Sequence, residues 1–284
     1  MNHRIKGSTK LYAVIGDPIN HSLSPELHNT LFDYEEKDSA YIPLKIRYEE
    51  LGANIHTLRN NLYGFNITKP HKQNIIKYLD QMDENSKVYN AVNTVKVESG
   101  KLMGYNTDGY GFSKSIEHLD LEEKKVLLLG AGGAASVVLY ELLKKGACVH
   151  VKNRSRNKAE DMVENIIKFS SNKDIHICDE INDSYYMIVN STPLGMGEYK
   201  GVMPIDEIHL ENVKVAYDLI YNPYHTEFLK RAKEKGAQVI NGFEMLFYQG
   251  IRAQEIWKNE KINEELVMKV YKDINKYFED KFRD

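Results

Sequence analysis

The sequence predicts an α/β protein of two domains, the second of them built on a doubly wound parallel sheet. Two observations carry this prediction. Short apolar strands alternate with helical segments along most of the chain, and one glycine-rich turn directly follows an apolar strand and directly precedes a helix. A length of 284 residues suits two domains. Hydrophobic residues make up 42% and charged residues 28%, a balance typical of a folded globular chain.

Charge and cysteine content exclude several classes of protein. The 38 basic and 41 acidic residues give a net charge of −3, which favours no nucleic-acid partner. Cys148 and Cys178 are too few for a disulfide scaffold or a cysteine-rich zinc site and fit a reducing compartment. Residues 126–140 are uncharged but shorter than the roughly 20 residues of a membrane span, and their glycines favour a strand followed by a helix. We therefore expect a cytoplasmic protein without a secretory signal.

The first 108 residues predict alternating strands and helices followed by a hairpin. Ser24 is the expected N-cap of a helix, with Pro25 at its first position. Residues 93–108 form two short alternating runs around a Ser-Gly pair, which predicts the hairpin. The other expected elements are strands at Leu11–Ile15, Ala40–Lys45 and Leu62–Thr68 and a helix at Glu49–Arg59.

The alternation becomes more regular from residue 109 onward, as expected for parallel strands joined by helical crossovers. The predicted strands are Lys125–Leu129, Ala147–Lys152, Asp174–Ile177, Tyr186–Asn190, Val213–Leu219 and Ala237–Ile240. A last helix, Ile262 to about Phe282, carries one apolar stripe formed by Leu266, Val270, Ile274 and Phe278. The element order predicts domains at residues 1–108 and 109–242, with helices at 243–284 that return to the first domain.

The glycine-rich turn is the strongest local signal. Gly130, Gly132 and Ala135 match G-x-G-x-x-A between a strand and a helix, where small residues allow a tight turn, close approach of a pyrophosphate and close packing of the helix. The helix N-terminus adds N–H donors and a positive dipole end. The segment Gly130, Ala131, Gly132, Gly133, Ala134, Ala135 therefore predicts a dinucleotide site; the alternative is a tight turn that binds nothing.

The end of the next strand favours NADP over NAD. A carboxylate is usual there in NAD-binding folds, whereas this chain has Asn153 followed by Arg154, Ser155, Arg156 and Lys158. Guanidinium and ammonium groups pair with a 2′-phosphate that a carboxylate would repel. The alternative is a solvated, basic helix start.

Four clusters of short polar side chains in the first domain, at residues 21–28, 66–72, 91–94 and 106–109, suit a polyhydroxylated substrate. Reduction of a ketone by hydride also needs a proton donor. The candidates are Lys72, His71 and Lys69, with Asp108 as a charge partner, and the residues alone do not rank them. The alternatives are a solvated lysine for Lys72, helix N-caps for Asp108 and Ser24, and packing or capping for His71.

Taken together, the motifs HSLSP, NITKPHK, AVNT, NTDG, GAGGAA, NRS, NSTPLG, YDLIYNP and GFEMLFYQ resemble the shikimate dehydrogenase family in order and spacing. The resemblance covers nearly the whole chain. It implies an α/β substrate domain, an NADP-binding Rossmann domain and C-terminal helices packed on the former. It also implies an oxidoreductase that reversibly reduces 3-dehydroshikimate to shikimate in aromatic amino-acid biosynthesis, without a metal and as a monomer or homodimer.

The resemblance also assigns residues. Lys72 and Asp108 match the catalytic pair of the family. Ser22, Ser24 and Tyr221 match groups around the substrate carboxylate, and Thr68, Asn93 and Gln249 match groups that bond the ring hydroxyls. Gly130 to Ala135 match the pyrophosphate turn, and Asn153, Arg154, Ser155 and Lys158 match the surroundings of the 2′-phosphate. The chain departs from the family at Lys69, usually apolar, and at Ser155, usually Thr.

Three other interpretations remain open. The nearest is a quinate/shikimate dehydrogenase of broader specificity, which an Asp near Arg156 would favour. A second is the dinucleotide domain of glutamyl-tRNA reductase, which would require an N-terminal nucleophilic cysteine, whereas the first cysteine here is Cys148. The third is a silent NADP-binding module, against which intact Lys72 and Asp108 count.

Overall fold

The computed structural model describes residues 5–20, 22–182 and 184–283 and divides them into two compact units. The first unit comprises the described residues up to Thr107 together with Gln249–Ile274. The second comprises Asp108–Tyr248 and residues 275–283. The returning C-terminal segment thus contributes to both units, and the functional division at residues 108 and 242 stays a prediction. His21, which opens the first polar cluster, lies outside the described residues.

The predicted alternation of strands and helices is confirmed. The strands are β1 (Lys10–Gly16), β2 (Ser39–Lys45), β3 (Gly64–Ile67), β4 (Gln81–Met82), β5 (Thr94–Glu98), β6 (Lys101–Tyr105), β7 (Lys125–Leu129), β8 (Cys148–Lys152), β9 (Ile175–Ile177), β10 (Met187–Asn190), β11 (Val215–Asp218) and β12 (Gln238–Ile240). The helices are α1 (Ser24–Tyr34), α2 (Leu51–Asn61), α3 (His71–Asn74), α4 (Glu84–Tyr89), α5 (Asp108–Ser115), α6 (Gly133–Lys144), α7 (Arg156–Ile167), α8 (Glu227–Glu234), α9 (Phe243–Lys258) and α10 (Glu264–Phe282).

The first unit holds a six-stranded mixed sheet in the order β2-β1-β3-β5-β6-β4. Strands β1, β2 and β3 are parallel, whereas β5 runs antiparallel to β3 and β6, so the predicted hairpin is confirmed. Its core includes Ile15, Leu51, Phe65, Val95 and Leu102, all without solvent exposure. The polar segments that follow β1 and β3 therefore start from a rigid apolar base.

One expected helix cap is wrong. Helix α1 begins at Ser24 itself, Leu23 occupies the N-cap position, and no side chain caps the helix. The Ser24 side chain instead hydrogen-bonds with Tyr41 and does not reach a backbone N–H of the helix. The short elements α3, β4 and α4 have too few residues to give a periodic signal, and the sequence predicted none of them.

The second unit holds six parallel strands in the order β12-β11-β10-β7-β8-β9. The first strand of this sheet, β7, lies in the middle, and β8 and β9 follow on one side of it. Strands β10, β11 and β12 lie on the other side, so the strand order reverses between β7 and β10. This order is that of the doubly wound fold, which binds ligands at the carboxyl ends of the strands beside the reversal.

The apolar stripe predicted for α10 is buried at three of its four positions. Val270, Ile274 and Phe278 are buried, and Leu266 is partly exposed. In the described part of the chain, no helix combines the length and apolar character that crossing a bilayer requires.

Candidate functional site

Three polar side chains form a buried cluster in the first unit. Asn93, Thr107 and Gln249 are each at most 9% exposed. The Asn93 amide nitrogen donates to Thr107 Oγ1 at 3.0 Å and to Gln249 Oε1 at 3.4 Å, and the Thr107 N–H donates to Asn93 Oδ1 at 2.9 Å. These bonds tie together residues that are 14 and 156 positions apart in sequence. The cluster thus presents amide and hydroxyl groups in a fixed arrangement.

A second layer of hydrogen bonds supports this cluster. The Tyr41 hydroxyl donates to Asn66 Oδ1 at 2.7 Å, and the Asn66 amide nitrogen donates to Thr94 Oγ1 at 2.9 Å. Thr94 in turn donates to Asn93 Oδ1 at 2.9 Å. Burial raises the pKa of Tyr41 well above its ordinary value, so the phenol remains a donor.

Sequence reasoning missed these supporting residues as site components. Asn66 and Thr107 lie inside the polar clusters at 66–72 and 106–109, and that membership was the available signal. Tyr41 lies in a strand and gives no such signal, because only the tertiary fold brings it to Asn66.

Backbone hydrogen bonds hold the turn that carries Thr68 and Lys72. The Thr68 N–H donates to the Ile15 carbonyl at 3.0 Å, and the His71 N–H donates to the Thr68 carbonyl at 2.9 Å. The Lys72 carbonyl accepts from the Val92 N–H at 2.8 Å. These bonds anchor both ends of the turn to neighbouring segments, so the position of the Lys72 backbone is fixed.

The three candidate proton donors differ in exposure. His71 is fully buried, and its Nε2 lies 2.8 Å from the Ile46 carbonyl, which fits the packing interpretation. Lys69 is exposed and Lys72 is partly exposed. The Lys72 carbonyl is held by Val92, the residue before Asn93 of the buried cluster, and the Lys72 side chain is partly exposed, which suits a proton donor better than the buried ring of His71 does.

Ser22 and Ser24 are adjacent to the same polar network. Ser22 Oγ accepts from the Ser24 N–H at 3.3 Å, and both serines are partly exposed. The Ser24 side chain hydrogen-bonds with Tyr41. Tyr41 is linked to Asn93 through Asn66 and Thr94. Ser24 therefore belongs to the same hydrogen-bond network of the first unit as the buried cluster.

The two remaining substrate-site candidates belong to the second unit. Asp108 is the first residue of α5. The ring of Tyr221 packs near Phe278 and Phe282, with centroids 6.1 and 6.4 Å away, and burial raises the pKa of its phenol. Pairing of Lys72 with Asp108 stays a prediction.

The glycine-rich turn has the geometry that an anion requires. Gly130 has φ of +109°, and a Cβ there would lie 2.5 Å from Ser191 Oγ, so a side chain does not fit. Gly132 is the N-cap of α6, and no side chain caps the helix. Residues 132–134 are exposed, whereas Ala135 is fully buried. The N–H donors of the first helical turn thus fit a pyrophosphate.

The basic segment after β8 divides into paired and unpaired cations. Arg156 pairs with Glu160 at 2.9 Å and with Asp179 at 2.5 Å. Arg154 and Lys158 are exposed, and no carboxylate of the described residues lies within ion-pair distance of either. Asn153 fixes the backbone here by donating to the Ser155 carbonyl at 2.8 Å. Arg154 and Lys158 are thus the cations that suit a phosphate.

A buried carboxyl that sequence reasoning missed joins two loops of the second unit. Asp218 Oδ1 accepts from Asn190 Nδ2 at 3.0 Å and from the Ile220 N–H at 3.1 Å, and Oδ2 accepts from Thr226 Oγ1 at 2.7 Å. Burial raises the pKa of Asp218 to about 7, although these hydrogen bonds lower it. The network fixes the loops that follow β10 and β11, at the edge where such folds bind ligands. The motifs NSTPLG and YDLIYNP contain Asn190 and Asp218 and were its only signal.

The strand order of the second unit and the glycine turn after β7 define a dinucleotide-binding α/β protein. Comparison with known proteins specifies the family. Residues 14–95 match the model of the shikimate dehydrogenase substrate binding domain, and residues 113–192 match that of shikimate / quinate 5-dehydrogenase.

Individual relatives match over nearly their whole length. A shikimate dehydrogenase (NADP(+)) of Carboxydothermus hydrogenoformans is 43% identical over 89% of this chain and 93% of its own. A shikimate dehydrogenase solved in complex with NADP+ is 35% identical, with a TM-score of 0.88 over 99% of this chain and 98% of its own. The Thermus thermophilus enzyme, solved with NADP(H) and shikimate, is 28% identical, with a TM-score of 0.84 over 94% of this chain and 100% of its own. This chain therefore belongs to the shikimate dehydrogenase family.

Proposed function

We propose that this protein is an NADP-dependent shikimate dehydrogenase, an oxidoreductase that reversibly reduces 3-dehydroshikimate to shikimate. The observation that carries the proposal is the buried cluster of Asn93, Thr107 and Gln249, whose amide and hydroxyl groups suit the hydroxyl groups of a polyhydroxylated ring. Curated NADP-dependent shikimate dehydrogenases 37–43% identical to this chain support the same activity.

In the proposed reaction, bound NADPH supplies the hydride that reduces the carbonyl carbon. The ammonium group of Lys72 gives a proton to the carbonyl oxygen, and water reprotonates the resulting amine. In the oxidation direction, neutral Lys72 takes the hydroxyl proton. Asp108 is the proposed partner that orients Lys72 and stabilises its charged form.

In the proposed site, different residues bind the charged carboxylate and the neutral hydroxyl groups of the substrate. Ser22 and Ser24, with Tyr221, bind the carboxylate, and Thr68, Asn93 and Gln249 bind the ring hydroxyls. Since Asn93 and Gln249 are fixed by neighbours in a buried network, binding needs little further ordering of these side chains.

The cofactor proposal rests on the second unit. Residues 130–135 hold the pyrophosphate through backbone N–H groups, and Arg154 and Lys158 pair with the 2′-phosphate. Asn153 and Ser155 shape the segment that positions these cations. A carboxylate-free arrangement of this kind favours NADP over NAD.

A spectrophotometric assay tests the proposed function. Purified protein should form NADPH from NADP and shikimate, with a higher kcat/KM for NADP than for NAD and for shikimate than for quinate. The family description also includes quinate, so the quinate arm is informative. Turnover of quinate but not shikimate would favour the quinate enzyme, and binding of NADP without turnover of either would favour a silent module.

We also propose a cytoplasmic protein that is a monomer or a homodimer. Cys148 and Cys178 do not form a disulfide, which supports a reducing compartment. Light scattering coupled to size-exclusion chromatography measures the oligomeric state directly, and a trimer or larger assembly would contradict the proposal.

A further inference from the structure

Four side chains of metal-ligand type lie together at the edge of the parallel sheet in the second unit. Cys148 and His150 are two residues apart in β8, and Asp174 and His176 are two residues apart at the start of β9. The two strands are parallel neighbours, with His150 opposite His176, and the Val149 N–H donates to the Asp174 carbonyl at 2.9 Å. Because side chains alternate along a strand, all four project from one face of the sheet.

The spacing of the possible ligand atoms suits a single ion. Cys148, His150 and His176 each offer one ligand atom, and these atoms lie within 4.8 Å of one another. Bonds of about 2.0–2.3 Å to a tetrahedral ion place ligand atoms roughly 3.3–3.8 Å apart, so about 1 Å of side-chain movement closes the site. The His176 side chain is 57% exposed and has room for that movement.

Neighbouring hydrogen bonds orient both imidazole rings. Asp174 Oδ1 lies 2.9 Å from His176 Nε2, and a proton on that nitrogen leaves the lone pair on Nδ1. The Tyr185 hydroxyl lies 3.1 Å from His150 Nδ1, and a proton on that nitrogen leaves the lone pair of the ring on Nε2. Carboxylate and hydroxyl partners of this kind are typical of metal-binding histidines.

We propose that Cys148, His150 and His176 bind one divalent transition-metal ion of the zinc class, with water as the fourth ligand. A thiolate and two imidazoles favour Zn²⁺ or Co²⁺ over Mg²⁺ and Ca²⁺, which prefer oxygen ligands. The sequence alone gave no signal for this site. Two cysteines are too few to indicate a cysteine-rich metal site, and the ligands come from two separate segments of the chain.

The metal site is separate from the proposed cofactor site. Cys148 begins β8, whereas Asn153 follows its other end, roughly 16 Å away at about 3.3 Å per residue. Strand β9 is the edge strand of the sheet, and an ion shared by β8 and β9 fixes that edge. We therefore expect the ion to stabilise the second unit, whether or not the proposed function holds. We also expect it to leave the kcat of the proposed reaction nearly unchanged.

Titration of the untagged full-length protein with Co²⁺ tests the proposal. The expected result is one equivalent bound per chain, with a charge-transfer band of a cobalt–thiolate bond that excess Zn²⁺ abolishes. Cys148→Ser should remove the band, and His176→Asn should lower the affinity at least about 100-fold. Asp174→Asn should lower it about 10–100-fold, since it removes only the partner that orients the ring. The matched controls Cys178→Ser and His56→Asn should bind Co²⁺ as the wild type does.

Two results would overturn the metal site. One is that Co²⁺ does not bind saturably, or binds without a thiolate band. The other is a band that persists in Cys148→Ser or disappears in Cys178→Ser, which would assign the ligand to the other cysteine. If Cys148→Ser fails to fold, His176→Asn decides: Zn²⁺ should raise the Tm of the wild type and not that of this variant, and equal increases would reject the site.

Discussion

The two compact units build their polar sites in opposite ways. In the first unit, Asn66, Asn93 and Gln249 are buried and bonded to one another. In the second, the groups suited to a phosphate are exposed backbone at residues 132–134 and the exposed cations Arg154 and Lys158. Neutral hydroxyl groups are distinguished by directed hydrogen bonds, whereas a polyanion is attracted by charge and by backbone dipoles. In the proposed sites, burial would thus provide geometric selectivity in the first unit, and exposure would provide electrostatic affinity in the second.

The buried titratable groups of the two units differ in the same sense. In the first unit, burial and the charge of Lys258 lower the pKa of His28 to about 3. In the second unit, burial raises the pKa of Asp218 to about 7. Both groups therefore avoid charge in the interior, but one does so by losing a proton and the other by keeping one.

The largest expected effect on catalysis comes from the proposed proton donor. Lys72→Ala should lower kcat by about 10²-fold or more, because the proton transfer is lost, while substrate KM changes little. Steady-state kinetics in the direction of NADPH formation measure both constants. Lys69→Ala is the matched control and should retain kcat, since Lys69 is exposed. A wild-type kcat in Lys72→Ala would remove Lys72 from the chemistry.

The largest expected effect on stability is an opposite dependence on pH in the two units. Unfolded His28 takes up a proton below its ordinary pKa of 6.5 and folded His28 does not, so the first unit loses stability as pH falls from 6.5 towards 3. Folded Asp218 keeps a proton that the unfolded chain releases, so the second unit loses stability as pH rises from about 4 to 7. At about 1.4 kcal/mol per pKa unit, each change is on the order of 4 kcal/mol.

The single tryptophan separates the two effects. The indole ring of Trp257 lies 5.2 Å from the His28 ring, so its fluorescence reports unfolding of the first unit, and circular dichroism reports both units. The urea midpoint measured by fluorescence should depend less on pH in His28→Gln than in the wild type. The urea midpoint measured by circular dichroism should depend less on pH in Asp218→Asn than in the wild type. Unchanged slopes in both variants would refute the assignment of these pH effects to His28 and Asp218.

A smaller effect is expected at the 2′-phosphate site. Arg154→Ala should raise KM for NADP about 10-fold, the equivalent of about 1.4 kcal/mol for a charge-assisted hydrogen bond, and leave KM for NAD unchanged. Arg156→Ala is the control and should change KM for NADP less, because Arg156 pairs with Glu160 and Asp179. The difference between the two variants should shrink at high salt. An equal loss for NADP and NAD would contradict a 2′-phosphate contact.

The smallest effect is expected at the substrate carboxylate. Ser22→Ala should raise substrate KM about fivefold with kcat nearly unchanged, since one hydrogen bond of about 1 kcal/mol is lost in ground and transition states alike. Ser8→Ala, an exposed serine of the same unit, should leave KM unchanged. A wild-type KM in Ser22→Ala would place Ser22 outside the substrate site.

Sequence reasoning correctly located the glycine-rich turn, which depends on a local pattern. Gly130, Gly132 and Ala135 lie within six residues, and their conformations follow from the tight turn that joins β7 to α6. It failed at Ser24, whose side chain hydrogen-bonds with Tyr41 and does not cap the helix. It also missed Tyr41 and Asp218, because their importance comes from burial against residues distant in the chain.

The sequence by itself determined the alternation of strands and helices, the glycine-rich turn between β7 and α6 and the position of the basic segment after β8. These features depend on hydrophobic periodicity and on residues a few positions apart, which local physical chemistry relates directly. Only the tertiary structure decided which cations of the basic segment pair with carboxylates, which amides form the buried cluster with Gln249, and that Cys148, His150 and His176 share one face of a sheet. Those outcomes depend on strand register and burial, which bring together groups that lie far apart along the chain.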